Sequence, residues 1–174
     1  MRLGRRPLAL FLICLPVLGL SVLLLAPAGQ TWLELTDAET GRRIISQPLQ
    51  KGEEVLLTWK NSLFGLRVTE VFVAADGILL LTQITFADPR GGEPPRVKPG
   101  DVDDLYHTGG PFKATGLSRP FNRVVFRVGE IGDPKIRVGT ELVSLTREVG
   151  SGGAVLLVTR KPSLYETTLG RWLH

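Results

Sequence analysis

Residues 67–86 read RVTEVFVAADGILLLTQITF, two apolar runs joined at Asp76-Gly77. In the first run Val68, Glu70, Phe72 and Ala74 alternate with Thr69, Val71 and Val73, a period of two that sends alternate side chains to opposite faces of a strand. Asp-Gly between apolar runs supplies the positive φ that a two-residue hairpin turn requires, so this stretch predicts a β-hairpin. The same texture continues on both sides. Short runs rich in Val, Leu, Thr and Phe, divided by Gly, Pro, Asp and Asn, predict strands at 32–36, 43–48, 54–60, 67–74, 78–86, 121–128, 135–138, 141–146 and 154–160. A second hairpin is expected across 148–153, where Ser151-Gly152-Gly153 tolerates positive φ. No amphipathic helix stands out among these runs. The expected fold is all-β, an antiparallel sandwich or a partly open barrel.

Residues 88–116 break the pattern, because Pro89, Gly91, Gly92, Pro94, Pro95, Pro99, Gly100, Gly109, Gly110 and Pro111 fall within them. They read as one long loop, and a connection of that length in a compact domain is usually functional or disordered. At the C-terminus, Tyr165, Leu169, Trp172 and Leu173 recur at roughly helical spacing, so 163–174 reads as a tail, either a short helix capping the sheet or a partner-binding segment.

Before the β region, residues 8–26 read LALFLICLPVLGLSVLLLA without a charge, long enough to cross the hydrocarbon core as a helix. Arg2, Arg5 and Arg6 precede the run and no cation follows it closely. That asymmetry keeps the N-terminus inside and sends the rest of the chain outward. Residues 1–28 are therefore expected to be a signal anchor, with a cleaved signal peptide as the alternative because Ala26-Pro27-Ala28 has the small residues of a processing site. The run exceeds the usual length of a signal-peptide core, which favours the anchor. Cys14 lies inside the run without the small residue expected before a lipoprotein cysteine, and the residues around Arg5-Arg6 fit twin-arginine export poorly. The β domain, 29–162, then contains no cysteine and must be stabilised without a disulfide.

The formal charge of +4 is misleading, since setting aside those three arginines leaves 18 Lys+Arg against 17 Asp+Glu. So nearly neutral a domain lacks the electrostatic footprint of a nucleic-acid binder.

Chemistry-bearing residues are sparse. Asp101, Asp103, Asp104 and His107 lie within DVDDLYH and are weak candidate metal ligands, but they lack the glycine and terminal glutamate of a calcium loop. Ser62 follows Lys60-Asn61 at the end of a predicted strand, without the strand-to-helix elbow of a nucleophilic serine. Glu70 is in phase with Val68 and Phe72 and is expected to face inward, where its carboxylate needs a partner such as Lys60, Arg67 or backbone N–H groups. Arg90-Gly91-Gly92 lacks a phosphate-loop lysine and a following helix. No catalytic residue and no cofactor is assigned.

Trp59-Lys60-Asn61-Ser62, Arg67-Val68-Thr69-Glu70-Val71-Phe72-Val73, Asp76-Gly77, Leu79-Leu80-Leu81 and Gly91-Gly92-Glu93-Pro94, in this order behind an apolar start, resemble the family termed domain of unknown function 1850. Its members are small exported or membrane-anchored bacterial proteins with a His-Ser pair, a downstream Glu and a Gly-x-Pro-like segment. The resemblance spans roughly 52–162, including the closing runs around 136–138 and 155–158. Carried over, it marks Ser62, Glu70, Gly92 and Pro94 as ligand-binding or structural positions. Asn61 stands where the family usually has histidine, and an amide cannot titrate near neutral pH. The family is associated with tripartite periplasmic-type (TRAP-type) solute transporters. The resemblance therefore implies a non-catalytic, membrane-anchored accessory domain acting outside the cytoplasm, contacting a transporter subunit or solute receptor through 88–116. The alternative is a small-ligand or metal-binding module using Glu70 and the Asp101 to His107 cluster.

Overall fold

The computed structural model describes residues 31–161. The expected membrane segment at 8–26, the cleavage point near Ala28 and the C-terminal tail at 163–174 lie outside the described residues. Among the described residues no helix is long and apolar enough to cross a membrane.

The described chain is mostly strand and forms two sheets. The four-stranded sheet has the order β2-β1-β11-β8, from β1 (Thr31–Asp37), β2 (Arg43–Leu49), β8 (Arg123–Arg127) and β11 (Ala154–Arg160). The seven-stranded sheet has the order β10-β9-β3-β4-β5-β7-β6, from β3 (Glu54–Lys60), β4 (Arg67–Ala75), β5 (Ile78–Phe86), β6 (Arg96–Val97), β7 (Phe112–Phe121), β9 (Lys135–Val138) and β10 (Glu141–Ser144). All pairings are antiparallel except β6 with β7. Leu33, Leu35, Val155 and Leu157 of the smaller sheet share one hydrophobic cluster with Val55, Leu57, Val68, Phe72 and Ile136 of the larger. Trp59 meets Phe86 of its own sheet and Phe126 of the other edge-on, with centroids 6.4 and 6.3 Å apart.

The central hairpin forms as the sequence predicts, Ala75 opposite Ile78 around Asp76 and Gly77, whose φ values are 43° and 95°. Its second strand carries a register slip. Leu79 and Leu81 are buried, then Ile84 and Phe86, so the inward phase shifts by one residue at Thr82. That residue is the extra one of a β-bulge, and its Oγ1 donates to the Val71 carbonyl at 3.1 Å. On the far side β7 slips in step: Thr115 pairs Gln83 and Arg119 pairs Leu81, leaving Gly116 at φ 73° in the irregular stretch between them.

Four expectations need correction. Residues 88–116 are not one loop. They hold β6, a 3-10 turn (Pro99–Asp101), helix α1 (Val102–Thr108) and the first half of β7. The helix was hidden by its length of seven residues, too short for a sustained period. Val102 is buried while Leu105 and Tyr106 pack on the core, an i, i+3, i+4 face between exposed Asp103, Asp104 and His107. Strand β7 was hidden by Gly116 and Pro120, which are tolerated because the bulge uses the glycine and β6 pairs only Lys113 and Ala114, leaving Pro120 on an edge.

Secondly, 121–128 is not one strand: the chain passes from the larger to the smaller sheet at exposed Asn122. Thirdly, 141–146 ends as a strand at Ser144, whose side chain accepts from the Arg147 N–H and starts a short helix, α2 (Leu145–Val149). Finally, β10 and β11 belong to different sheets, so 148–153 does not join a hairpin.

Candidate functional site

The inward face of β4 carries the one ionisable side chain that the sequence placed there. Glu70 pairs Leu57 on one side and Ile84 on the other, both buried. Burial raises its carboxyl above the ordinary glutamate range, and a hydrogen bond from Tyr106 opposes this. That bond, Tyr106 Oη to Glu70 Oε1 at 2.8 Å, comes from α1. The Tyr106 hydroxyl is pushed upward in turn, first by burial and then by the charge of Glu70. The ring is fixed by edge contact with Phe86 at 5.1 Å, and Phe86 stacks on Phe112 at 4.5 Å. Lys60 and Arg67, expected as partners, cannot serve. They alternate to the opposite face of the same sheet, next to inward Trp59 and Val68. The pair is a part-buried structural tie between helix and sheet.

The other motif positions shape turns. Asn61 is buried, and its Oδ1 accepts from the N–H groups of Leu63 and Phe64 at 2.9 and 3.0 Å, an Asx turn closing the β3–β4 connection. Phe64 then lies against Gly109 at the end of α1, where an added Cβ would come within 2.5 Å of the ring. Ser62 is exposed in that turn, and among the described residues no hydrogen bond joins it or Asn61 to Glu70. Gly92 is exposed and Pro94 half-buried in the β5–β6 connection, where Asp88 Oδ1 accepts from the Arg90 N–H at 2.9 Å. The four metal candidates do not converge: Asp103 is forked to Arg119 at 2.8 and 3.2 Å, and no group of three His, Cys, Asp or Glu side chains able to hold a metal occurs among the described residues.

The concavity lies elsewhere, on the outward face of the larger sheet. An open groove of about 1060 Å³ runs over β10, β9, β3 and β4, with Leu56, Thr58 and Thr69 on its floor and Gly65, Asp88, Gly132 and Leu142 along its border. Lys60, Arg67, Lys135 and Arg137 also line it, against two carboxylates, Asp88 and Asp133. Strand alternation puts all four cations there, because Trp59, Val68, Ile136 and Val138 between them turn into the core. Lys135 pairs with Asp133 at 3.4 Å and Asp88 with Arg90 at 3.4 Å. Lys60, Arg67 and Arg137 have no ion pair among the described residues.

The border is set by backbone geometry. Gly132, at φ 88°, lets the 129–134 connection pass over Lys60 so closely that an added Cβ would sit 2.9 Å from the Lys60 Cβ. Asp133 follows and is held by a hydrogen bond from Ser144, which keeps its carboxyl below the usual range. At the turn of the central hairpin the Thr31 hydroxyl accepts from the Gly77 N–H, and Trp32 pairs Arg160.

Sequence reading missed this site because its cations are spread over 78 positions of chain from Lys60 to Arg137, each looking like an ordinary outward strand residue. The available signal was phase, since all four alternate with buried neighbours. No family model, no curated protein and no solved structure matches the chain.

Proposed function

We propose that the chain is a non-catalytic binding module, held at the outer face of the membrane by residues 8–26, whose two sheets form a sandwich and whose groove takes an anionic ligand in the service of a TRAP-type solute transporter. The observation that carries the binding claim is the groove with three cations, Lys60, Arg67 and Arg137, that have no ion pair among the described residues. Export and anchoring rest on the uncharged run at 8–26 and the arginines before it. The transporter role rests on the resemblance to the domain of unknown function 1850 family. The non-catalytic reading rests on the Glu70 carboxyl being engaged by Tyr106 and on an exposed Ser62 with no base hydrogen-bonded to it among the described residues.

The test is the melting temperature of the full-length detergent-solubilised protein across anionic, neutral and cationic solutes. A ligand that binds only the folded state raises it. Anionic solutes alone are expected to do so, and indifference to every anion would contradict the reading.

A second reading gains support from Leu63, Ile131 and Leu142, which are 80, 55 and 52% exposed. Leu142 is on the groove border. Apolar side chains beside cations fit an acidic surface of a transporter subunit. Capture of transporter subunits from native membranes by the wild type but not by Leu63→Asp/Leu142→Asp would favour it.

A further inference from the structure

We propose that the groove is a site for a phosphate monoester, with the phosphate seated over Thr58. This rests on the groove being the ligand site and names the class of ligand. Thr58 has Lys135 directly opposite on β9 and Thr69 directly opposite on β4. Lys60 is two residues along the same strand. Arg67 and Arg137 occupy the diagonals, because Lys60 pairs Arg67 and Leu56 pairs Arg137. Ladder geometry therefore holds the Cβ atoms of all four cations within roughly 5–8 Å of that of Thr58, inside the reach of Lys and Arg side chains. Four like charges at this spacing repel one another, and a single direct ion pair, Lys135 with Asp133, offsets one of them.

Charge and shape select the ligand. The lining holds four cations and two carboxylates, a net charge of +2. A phosphate monoester carries about −1.5 to −2 near neutral pH and offers three terminal oxygens, which suits donors converging from two arginines, two lysines and the hydroxyls of Thr58 and Thr69. One carboxylate would leave half of the charge uncompensated. Two guanidinium forks on the diagonals fit phosphate oxygens bidentately. The groove, at about 1060 Å³, is far larger than a phosphate group, so it has room for the organic part of the ester, with Leu56 and Leu142 on either side of Arg137 as its apolar contacts. The ester belongs to a soluble metabolite or to a lipid headgroup, and both present the same dianion.

No histidine lines the groove, and hydrogen bonds hold the carboxyls of Asp88 and Asp133 below the usual range. Between pH of about 5 and 7.5 the group that titrates is the ligand's second phosphate ionisation, near pH 6.

The experiment is isothermal titration of the full-length detergent-solubilised protein with glycerol phosphate, inorganic phosphate, sulfate and succinate at both ends of that window. Sedimentation with phosphatidylcholine vesicles, with and without phosphatidic acid, accompanies it. Glycerol phosphate should bind several-fold tighter at the upper pH while sulfate does not change. Arg137→Glu and Lys60→Glu should each weaken it about tenfold or more. Arg123→Glu, the same charge change on an exposed residue of the smaller sheet, should leave it within about twofold. Urea midpoints confirm that each variant is folded. Capture of phosphatidic acid vesicles, competed by glycerol phosphate, assigns the lipid source; binding of the soluble ester alone assigns the metabolite. Succinate binding in the absence of phosphate-ester binding would overturn the phosphate assignment and leave the groove reading standing. Equal weakening by Arg123→Glu, or no binding of any anion, would overturn both.

Discussion

The Tyr106 hydroxyl donates to Glu70 Oε1 at 2.8 Å, joining a helix in the segment richest in proline and glycine to the inward face of the central hairpin. Inward-facing Glu70 thereby finds its partner in the 88–116 segment. The bond has a structural meaning, since the carboxylate needs a donor and the helix needs a fixed seat.

Tyr106→Phe removes that donor and leaves a part-buried carboxyl without its partner, which costs roughly 1 kcal/mol or more. Urea unfolding should show the loss. In a double-mutant cycle with Glu70→Leu, which removes the acceptor, the two changes should be non-additive by a measurable part of it; additivity within error would mean that the bond contributes nothing.

The Glu70 carboxyl is raised by burial. A raised value in the folded chain means that folding favours the protonated acid, so this contribution to stability is complete below the ordinary glutamate range and is lost as pH rises through the raised value. Glu70→Gln cannot ionise, and its amide oxygen still accepts from Tyr106. The variant should therefore gain stability relative to wild type as pH rises above the ordinary glutamate range. A difference between the two unfolding midpoints that does not change with pH would contradict the assignment.

How far the sequence led follows from these residues. Strands with strict alternation, such as β3 and β4, and the Asp76-Gly77 turn were legible because local pattern and long-range pairing agree there. What escaped detection was non-local. Helix α1 is a short amphipathic helix of about two turns that acquires a face only when Phe86 and Phe112 stand beneath it. Strand β7 contains a glycine and a proline whose tolerance depends on a bulge and an edge. The groove cations come from three strands that pairing alone brings together. Among the motif positions, Glu70 was placed on the correct face but with the wrong partners, because the partner belonged to the segment read as loop.

Asn61 has a turn-closing role, so Asn61→Ala should cost about 1 kcal/mol through two lost acceptor contacts, while Asn61→Asp, which keeps the acceptor, should cost less. Comparable losses for both substitutions in thermal unfolding would argue that the side chain serves another purpose.

Gly132 combines φ 88° with close approach to Lys60. Gly132→Ala should cost at least about 1–2 kcal/mol and shift the border that carries Asp133, weakening ligand binding along with stability. Gly52→Ala, also at positive φ but with open space around its Cβ, should lower stability and leave binding unaltered. Equal effects of the two on binding would remove the border from the account.

The most direct measurement is a backbone-amide resonance titration of the full-length protein with whichever anionic solute raises its melting temperature most. Saturable shifts on Thr58, Thr69, Lys135 and Arg137, suppressed by Arg137→Glu, are the predicted result. Shifts that saturate on α1 or the smaller sheet instead, or none that saturate, would contradict the claim that this groove is where the protein binds.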